Sequence, residues 1–326
     1  MNEWTMLDAI NHAIANQMRV NDRIVVLGED VGANGGVFRA TEHLQEEFGA
    51  ERVFDTPLAE SAIVGMSIGM ASQGLIPIVE IQFMGFIYPA IDQILNHAAR
   101  LRNRTRGRLS CPMVIRAPFG GGIHAPEHHS ESTEAIFAHI PGLRIVIPSS
   151  PARAYGLLVA AIQDPDPVIF LEPKRIYRDG KQAIEDNGNP LPLDTCFILR
   201  EGIDVSLISW GAMLKETLSA AKQLTQLGID AEVIDVATIK PFDIKSIINS
   251  VKKTGRCIIV HEAAKTGGVG AEIAAQLAEK SITSLLAPIQ RVTGYDTVMP
   301  MFKNEHFYIP DVERIISSAI QTMEYR

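Results

Sequence analysis

Arg52-Val53-Phe54-Asp55-Thr56-Pro57-Leu58-Ala59-Glu60 joins a strand-like run to an apolar stretch that continues through Ala62, Ile63, Gly65, Met66, Ile68, Gly69, Met70 and Ala71 towards Gly74. Arg52–Phe54 reads as a strand and Glu60–Gln73 as a helix, which is one crossing of an α/β fold. Thr56 suits an N-cap, and Pro57 suits the first helical position, where its missing N–H would be unpaired anyway. In that register the capping-box position is Ala59, so Glu60 is one residue out of phase for reaching back to the cap. The helix has almost no polar face, which predicts that it is buried together with its lone glutamate. A buried carboxylate needs a partner and titrates high, as catalytic carboxylates do. The plainer alternative is a helix-start charge that complements the dipole.

The same alternation extends on both sides. Ile24–Leu27, Ile76–Ile81, Met113–Arg116, Arg144–Ile147 and Val168–Leu171 read as near-continuous apolar strands. Helical patterns near Thr5–Met18, Tyr88–Leu101 and Ala152–Ile162 separate them. Such alternation predicts a parallel sheet covered on both faces. Asp179 to Pro192 is rich in Gly, Pro, Asn and charge, as linkers are. Beyond it come strands at Val205–Ser209, Ala231–Val236, Cys257–Val260 and Ile289–Val292, with helices near Met213–Leu227, Asp243–Lys252 and after Gly270. The expected architecture is two doubly wound α/β domains, residues 1–178 and 201–326, joined by a linker over 179–200. A chain of 326 residues is long enough for two cores.

Composition excludes several functions. The hydrophobic fraction is 46%, yet no apolar run is long enough to span a bilayer, and Met1-Asn2-Glu3-Trp4 has no signal-peptide pattern. A soluble, cytoplasmic protein is expected, with no membrane partner. Cys111, Cys196 and Cys257 lie far apart, so they read as core thiols and not as a zinc ribbon or a disulfide framework. The net charge of −8 argues against a nucleic-acid partner. Arg100, Arg102, Arg104, Arg106 and Arg108 carry no interleaved aromatic residues, and they read as a helix-end cluster or a contact for an acidic protein.

Two motifs invite specific chemistry. His124-x-x-Glu127-His128 matches a zinc-peptidase pattern letter for letter, but Pro126 and the three preceding glycines, Gly120–Gly122, oppose the helix that pattern requires. A histidine on a glycine-hinged loop after a strand suits general acid–base work better. Gly268-Val269-Gly270 resembles a dinucleotide fingerprint, yet Ile273 stands where the third glycine belongs. Gly65 and Gly69, one turn apart, read as allowing a close helix–helix approach, in tight packing or at a subunit contact.

Gly28-Glu29-Asp30-Val31, Gly35-Gly36-Val37-Phe38-Arg39, Asp55–Glu60, Glu80-Ile81-Gln82-Phe83, His129-Ser130 and Gly294-Tyr295-Asp296-Thr297 occur in an order that resembles the β subunit of the α2β2-type 2-oxo acid dehydrogenase E1 component. The likeness runs through essentially the whole chain. It implies an N-terminal thiamine-diphosphate pyrimidine-binding domain, a transketolase-type C-terminal domain, and an active site shared with an E1 α subunit that holds Mg2+ and the diphosphate. The chain has no Gly-Asp-Gly segment of the kind that begins the magnesium-diphosphate motif, so it is expected to be inactive alone.

Carried over by residue, Glu60 matches the glutamate that bonds the pyrimidine N1′ atom and promotes the imino tautomer. Leu58, Gln82 and Phe86 match residues lining that ring. His129 matches a loop histidine that handles protons during decarboxylation and reductive acylation of the lipoyl arm. The E2 acyltransferase, through its lipoyl and peripheral-subunit-binding domains, is the implied second partner. Met113, Ala161, Ile162, Asp164 and Asp166 match a potassium site built largely from carbonyl oxygens; at Asp166 the family commonly has asparagine. Phe86 and Pro118–Gly122 look like members specific for pyruvate, the expected 2-oxo acid. His261-Glu262-Ala263 and Gly294–Thr297 look more like branched-chain members, so 2-oxoisovalerate, and beside it acetoin, is the alternative substrate.

Overall fold

The structure, a computed structural model, describes Asn2–Tyr325. It divides into two compact units, one containing the residues up to Phe119 together with Ile136–Leu193, the other Gly120–Ala135 together with the residues from Asp194 onward.

In the first unit β1 is Asn2–Trp4, β2 Ile24–Gly28, β3 Val53–Asp55, β4 Ile76–Glu80, β5 Val114–Phe119, β6 Arg144–Val146, β7 Val168–Pro173 and β8 Gln182–Ile184. Six of these run parallel in the order β6-β7-β5-β4-β2-β3. Every residue of β2, β5 and β7 is buried, because helices take both faces of the sheet; an unbroken apolar run is what such a strand needs. The helix Met6–Val20 starts on a capping box in which the Thr5 hydroxyl accepts the Asp8 N–H at 3.2 Å and the Asp8 carboxylate accepts the Thr5 N–H at 2.9 Å. It packs on the helix Pro151–Gln163, which opens with Ser150 as cap and Pro151 in the first turn.

Several expectations need correction here. The helix after β3 starts at Glu60, with Ala59 in the cap position and no side-chain cap. Thr56 instead extends the strand ladder by donating its N–H to Gly28 O at 2.9 Å, and Asp55 is held by the Gly32 N–H at 2.7 Å, so the chain cannot turn into a helix at Thr56. Nor is the helix Glu60–Ser72 buried all round: Ala62, Met66 and Gly69 are exposed and Glu60 is half-buried. Of the two small residues, only Gly65 makes a close approach, with a Cβ there placed 3.2 Å from Gln93 Oε1, whereas Gly69 faces open space. The segment Tyr88–Leu101, expected as one helix, is broken into a 3-10 turn at Tyr88–Ala90, a π-helical stretch at Gln93–Ala98 and one α turn at Leu101–Arg104. Pro89 interrupts the helical ladder at its start.

In the second unit β9 is Phe197–Arg200, β10 Val205–Ser209, β11 Ala231–Asp235, β12 Thr238–Lys240, β13 Cys257–Ala264 and β14 Gln290–Gly294. A five-stranded sheet runs β14-β13-β10-β11-β9, parallel except for the antiparallel edge strand β9. Residues 179–200 hold β8 and β9; β8 pairs with β1. The helices Leu214–Gln226, Ile244–Thr254, Val269–Ser281 and Val312–Met323 complete this unit. Gly268 and Gly270 press against the buried His261 ring, with a Cβ at Gly270 falling 2.7 Å from its Nε2, which makes this glycine pair a packing feature. All three cysteines are free and buried, and burial pushes the Cys111 thiol up to about 12. No described helix is long and apolar enough to cross a membrane.

Candidate active site

Parallel sheets place ligands beyond the carboxyl ends of their strands. At that edge of the first unit, β2 delivers Glu29 and Asp30, β3 delivers Asp55 and then Glu60, and β4 delivers Gln82 and Phe86. The register aligns Gly28 with both Asp55 and Glu80, so three loops leave the sheet at one level. Gln82 donates its amide to Asp30 Oδ2 at 3.1 Å. Phe86 meets Phe83 edge-on, with ring centroids 5.8 Å apart. Leu58, on the loop that leads to Glu60, is 82% exposed.

Glu29 is the electrostatic centre of this edge. It is buried, and neither of its carboxylate oxygens has a hydrogen-bond partner among the described residues. Burial, then the neighbouring Glu60 charge, then Asp30 push its carboxyl up to about 7. One layer deeper the carboxylates share a cation. Buried Arg116 donates to Glu80 at 2.9 Å and to both oxygens of Glu172 at 2.7 and 3.1 Å, and Tyr177 adds a hydrogen bond to Glu172 at 2.5 Å. Gly36, at φ +80°, lies over this network with its Cβ position 2.8 Å from Glu80 Oε1, a place that a side chain would strain twice over.

His129 belongs to the second unit, in the loop that follows β5. It ends a 3-10 turn, Glu127–His129, and its ring lies 4.2 Å from that of His128. His124 is off that turn at φ +58° and pairs with Glu305 at 2.8 Å, so the two histidines of the zinc-like pattern are not one helical turn apart.

The five residues of the expected cation site gather at the opposite, amino-terminal edge of the first sheet. Met113 precedes β5, Ala161 and Ile162 end the helix Pro151–Gln163, and Asp164 and Asp166 precede β7. Both carboxylates are already committed: Asp164 to Arg144 and to the Asp166 N–H at 2.8 Å, Asp166 to Arg102 Nε at 2.7 Å. The other donors are main-chain carbonyls, a hard-oxygen set, of which that of Met113 accepts the Val168 N–H at 3.0 Å and that of Ala161 the Asp164 N–H at 3.3 Å.

Residues 2–180 match the family described as "Transketolase, pyrimidine binding domain", and residues 194–315 match "Transketolase, C-terminal domain". The chain is 50% identical over 311 residues to the pyruvate dehydrogenase E1 component subunit beta of Acholeplasma laidlawii, covering 95% of each. It is 46% identical over 325 residues to the protein of that name from Bacillus subtilis strain 168, covering all of both chains. The chain belongs to the pyruvate dehydrogenase E1 β-subunit family. A solved structure titled "Split gene transketolase, inactive beta4 tetramer" shares the fold at a TM-score of 0.82 and 22% identity over 99% of each chain.

For this E1 β-family chain, the candidate residues Leu58, Glu60, Gln82 and Phe86 all lie in the first unit on loops and helix starts after β3 and β4. Glu29 was missing from the sequence-derived set. Its signal was an acidic pair, Glu29-Asp30, placed directly after the five buried residues of β2.

Proposed function

We propose that the chain is the β subunit of an E1 enzyme that decarboxylates pyruvate with thiamine diphosphate and transfers the acyl group to the lipoyl arm of an E2 acyltransferase, active only with an E1 α subunit in an α2β2 assembly. The observation that carries the reading is the half-buried Glu60 beside the buried, unpaired and high-titrating Glu29, at the loop edge of a domain in the pyrimidine-binding family. These residues fit an aminopyrimidine. Leu58 and Phe86 offer apolar and aromatic surface, and Gln82 is oriented by Asp30. The exposed face of Ala62, Met66 and Gly69 supports a partner subunit closing over this edge.

When bound, thiamine diphosphate supplies the nucleophilic carbon and the electron sink that cleavage of a 2-oxo acid needs. Glu60 would hold the ring nitrogen and share a proton there. Glu29, uncharged below about pH 7, limits the negative charge that collects beside Glu60. Leu58 and Phe86 would keep water from the ring faces, and His129 would give and take the protons of acyl transfer. The Mg2+ ion belongs to the α subunit in this scheme, and potassium would sit on the carbonyls of Met113, Ala161 and Ile162 with Asp164 and Asp166 beside it. Functional boundaries at 1–178 and 201–326, with 179–200 between them, and a reducing cytoplasmic setting consistent with three free thiols complete the proposal. Co-expression with an E1 α partner and assay against pyruvate, 2-oxoisovalerate and acetoin tests it. Turnover restricted to pyruvate is the expected result, and no turnover of any of the three sinks the reading.

A further inference from the structure

The loop Gly120–Ser132 is held by charge. Gly121 N–H donates to Glu262 Oε1, and Ser132 Oγ donates to the same oxygen at 3.3 Å. Gly122 N–H donates to Glu305 Oε1, and His124 N–H donates to Glu305 Oε2 at 3.0 Å. The loop closes on itself through Gly120 N–H to Glu131 O at 2.9 Å. Both acceptors are buried, Glu262 to 5% exposure and Glu305 to 2%. A buried carboxylate has to be compensated, and here main-chain N–H groups do most of it, in hydrogen bonds stronger than neutral ones.

The glycines answer to the same carboxylates. Gly120 and Gly122 have φ of +79° and +85°. A Cβ at Gly120 would lie 2.8 Å from Glu262 Oε1, and one at Gly121 would lie 3.1 Å from Glu305 Oε1. At Gly120, where φ is positive as well, loop backbone and carboxylate therefore fit only with hydrogen in place of a side chain. Nearby Glu134, pushed up to about 7 chiefly by burial, with the Glu262 charge adding a little, is largely uncharged below that pH, which leaves less repulsion around the pair.

We infer that Glu262 and Glu305 are positioning residues, two buried carboxylates that hold the N–H groups of Gly121, Gly122 and His124 and so set the conformation of the loop presenting His129. The importance of that loop rests on the proposed role of His129; the clamp itself does not. In the sequence the clamp is invisible, since its partners are 141 and 183 residues apart.

The test uses the reconstituted α2β2 enzyme with Glu262→Gln and Glu305→Gln, read by amide hydrogen exchange over 120–132 and by the ratio of lipoyl acylation to pyruvate decarboxylation. Exchange in the loop should rise by about tenfold or more, the factor that one lost charge-assisted hydrogen bond allows, while Val269–Ser281 stays unchanged. Lipoyl acylation should fall more than decarboxylation, mainly in kcat. If a Gln variant does not assemble, Glu262→Asp and Glu305→Asp read the same contact, because they keep the charge but retract it by one methylene. Unchanged loop exchange in every assembled variant overturns the inference, as does faster exchange with an unchanged acylation ratio while His129→Ala lowers that ratio. An inert His129→Ala removes the proposed role of His129 instead, and the exchange data then decide the clamp alone.

Discussion

Two groups of carboxylates lie within one strand order of each other in the first sheet, and they behave as opposites. Glu80 and Glu172, on β4 and β7, share buried Arg116, and Glu172 also accepts from Tyr177, so both are held by a cation even though burial still pushes the Glu80 carboxyl above its usual range. Glu29 and Glu60, past the ends of β2 and β3, have no such cation; Glu29 is buried with both oxygens unpaired. Residue type is the same in both groups, so the difference lies in the partner. A saturated buried group stabilises one structure, whereas an unsatisfied one keeps free energy available for a ligand or a proton.

The sharpest way to break this contrast is Glu60→Gln in the assembled enzyme. Removing the carboxylate proposed to share a proton with the cofactor should cut pyruvate decarboxylation by about 100- to 10,000-fold while assembly and melting temperature hold, as measured by steady-state kinetics and thermal unfolding. Near-normal turnover would mean that Glu60, beside the unpartnered Glu29, is no more reactive than the carboxylates paired with Arg116. Arg116→Met addresses the other side. It leaves Glu80 and Glu172 buried without their cation and should cost about 3–5 kcal/mol of stability in denaturant unfolding. A small loss would show that the Arg116 network contributes little to holding the sheet.

Glu29 sharpens the comparison through pH. Its carboxyl is raised from 4.5 to about 7 in the folded chain, so the folded state holds this proton more tightly than the unfolded one. The associated stability is fully present below about pH 4.5 and is lost as pH rises through about 7. Glu29→Gln removes the titration. At about 1.4 kcal/mol per pKa unit, the variant should gain at most about 3 kcal/mol over the wild type at pH 8. That gain should vanish towards pH 4.5. A difference that does not change with pH means that Glu29 is not held protonated.

Why the sequence disclosed one half of this contrast and not the other is a matter of range. Strands β2, β5 and β7 were legible because burial on both faces writes an unbroken apolar run. The edge strand β9 was not legible, since Phe197–Arg200 is only partly buried and pairs antiparallel. The β1–β8 pair joins Trp4 to Gln182, a contact no local pattern reports. Glu60 stood out through its place in an apolar helix, although the helix start was set too early because Thr56 bonds back to Gly28. Glu29 did not stand out, because what perturbs it is burial first and then Glu60, thirty-one positions away, and neither shows in the local pattern around Glu29. Partner-dependent chemistry becomes visible only when the partners meet.

The smallest effect comes from the third group of carboxylates, at the far edge of the same sheet. Asp164 and Asp166 resemble the saturated class, since Arg144 and Arg102 already occupy them. A potassium ion at this edge would then rest on the carbonyls of Met113, Ala161 and Ile162, with little owed to the Asp166 charge. Potassium in place of a large organic cation should raise stability by about 1.4 kcal/mol at ten times its Kd. Asp166→Asn should leave that increment within about 0.5 kcal/mol of its wild-type value, since its exposed pair with Arg102 contributes little. Thermal melts of both proteins across a potassium titration measure this. If Asp166→Asn abolishes the potassium response, the carboxylate is a ligand that Arg102 merely covers, and the line drawn here between filled and unfilled carboxylates fails at this edge.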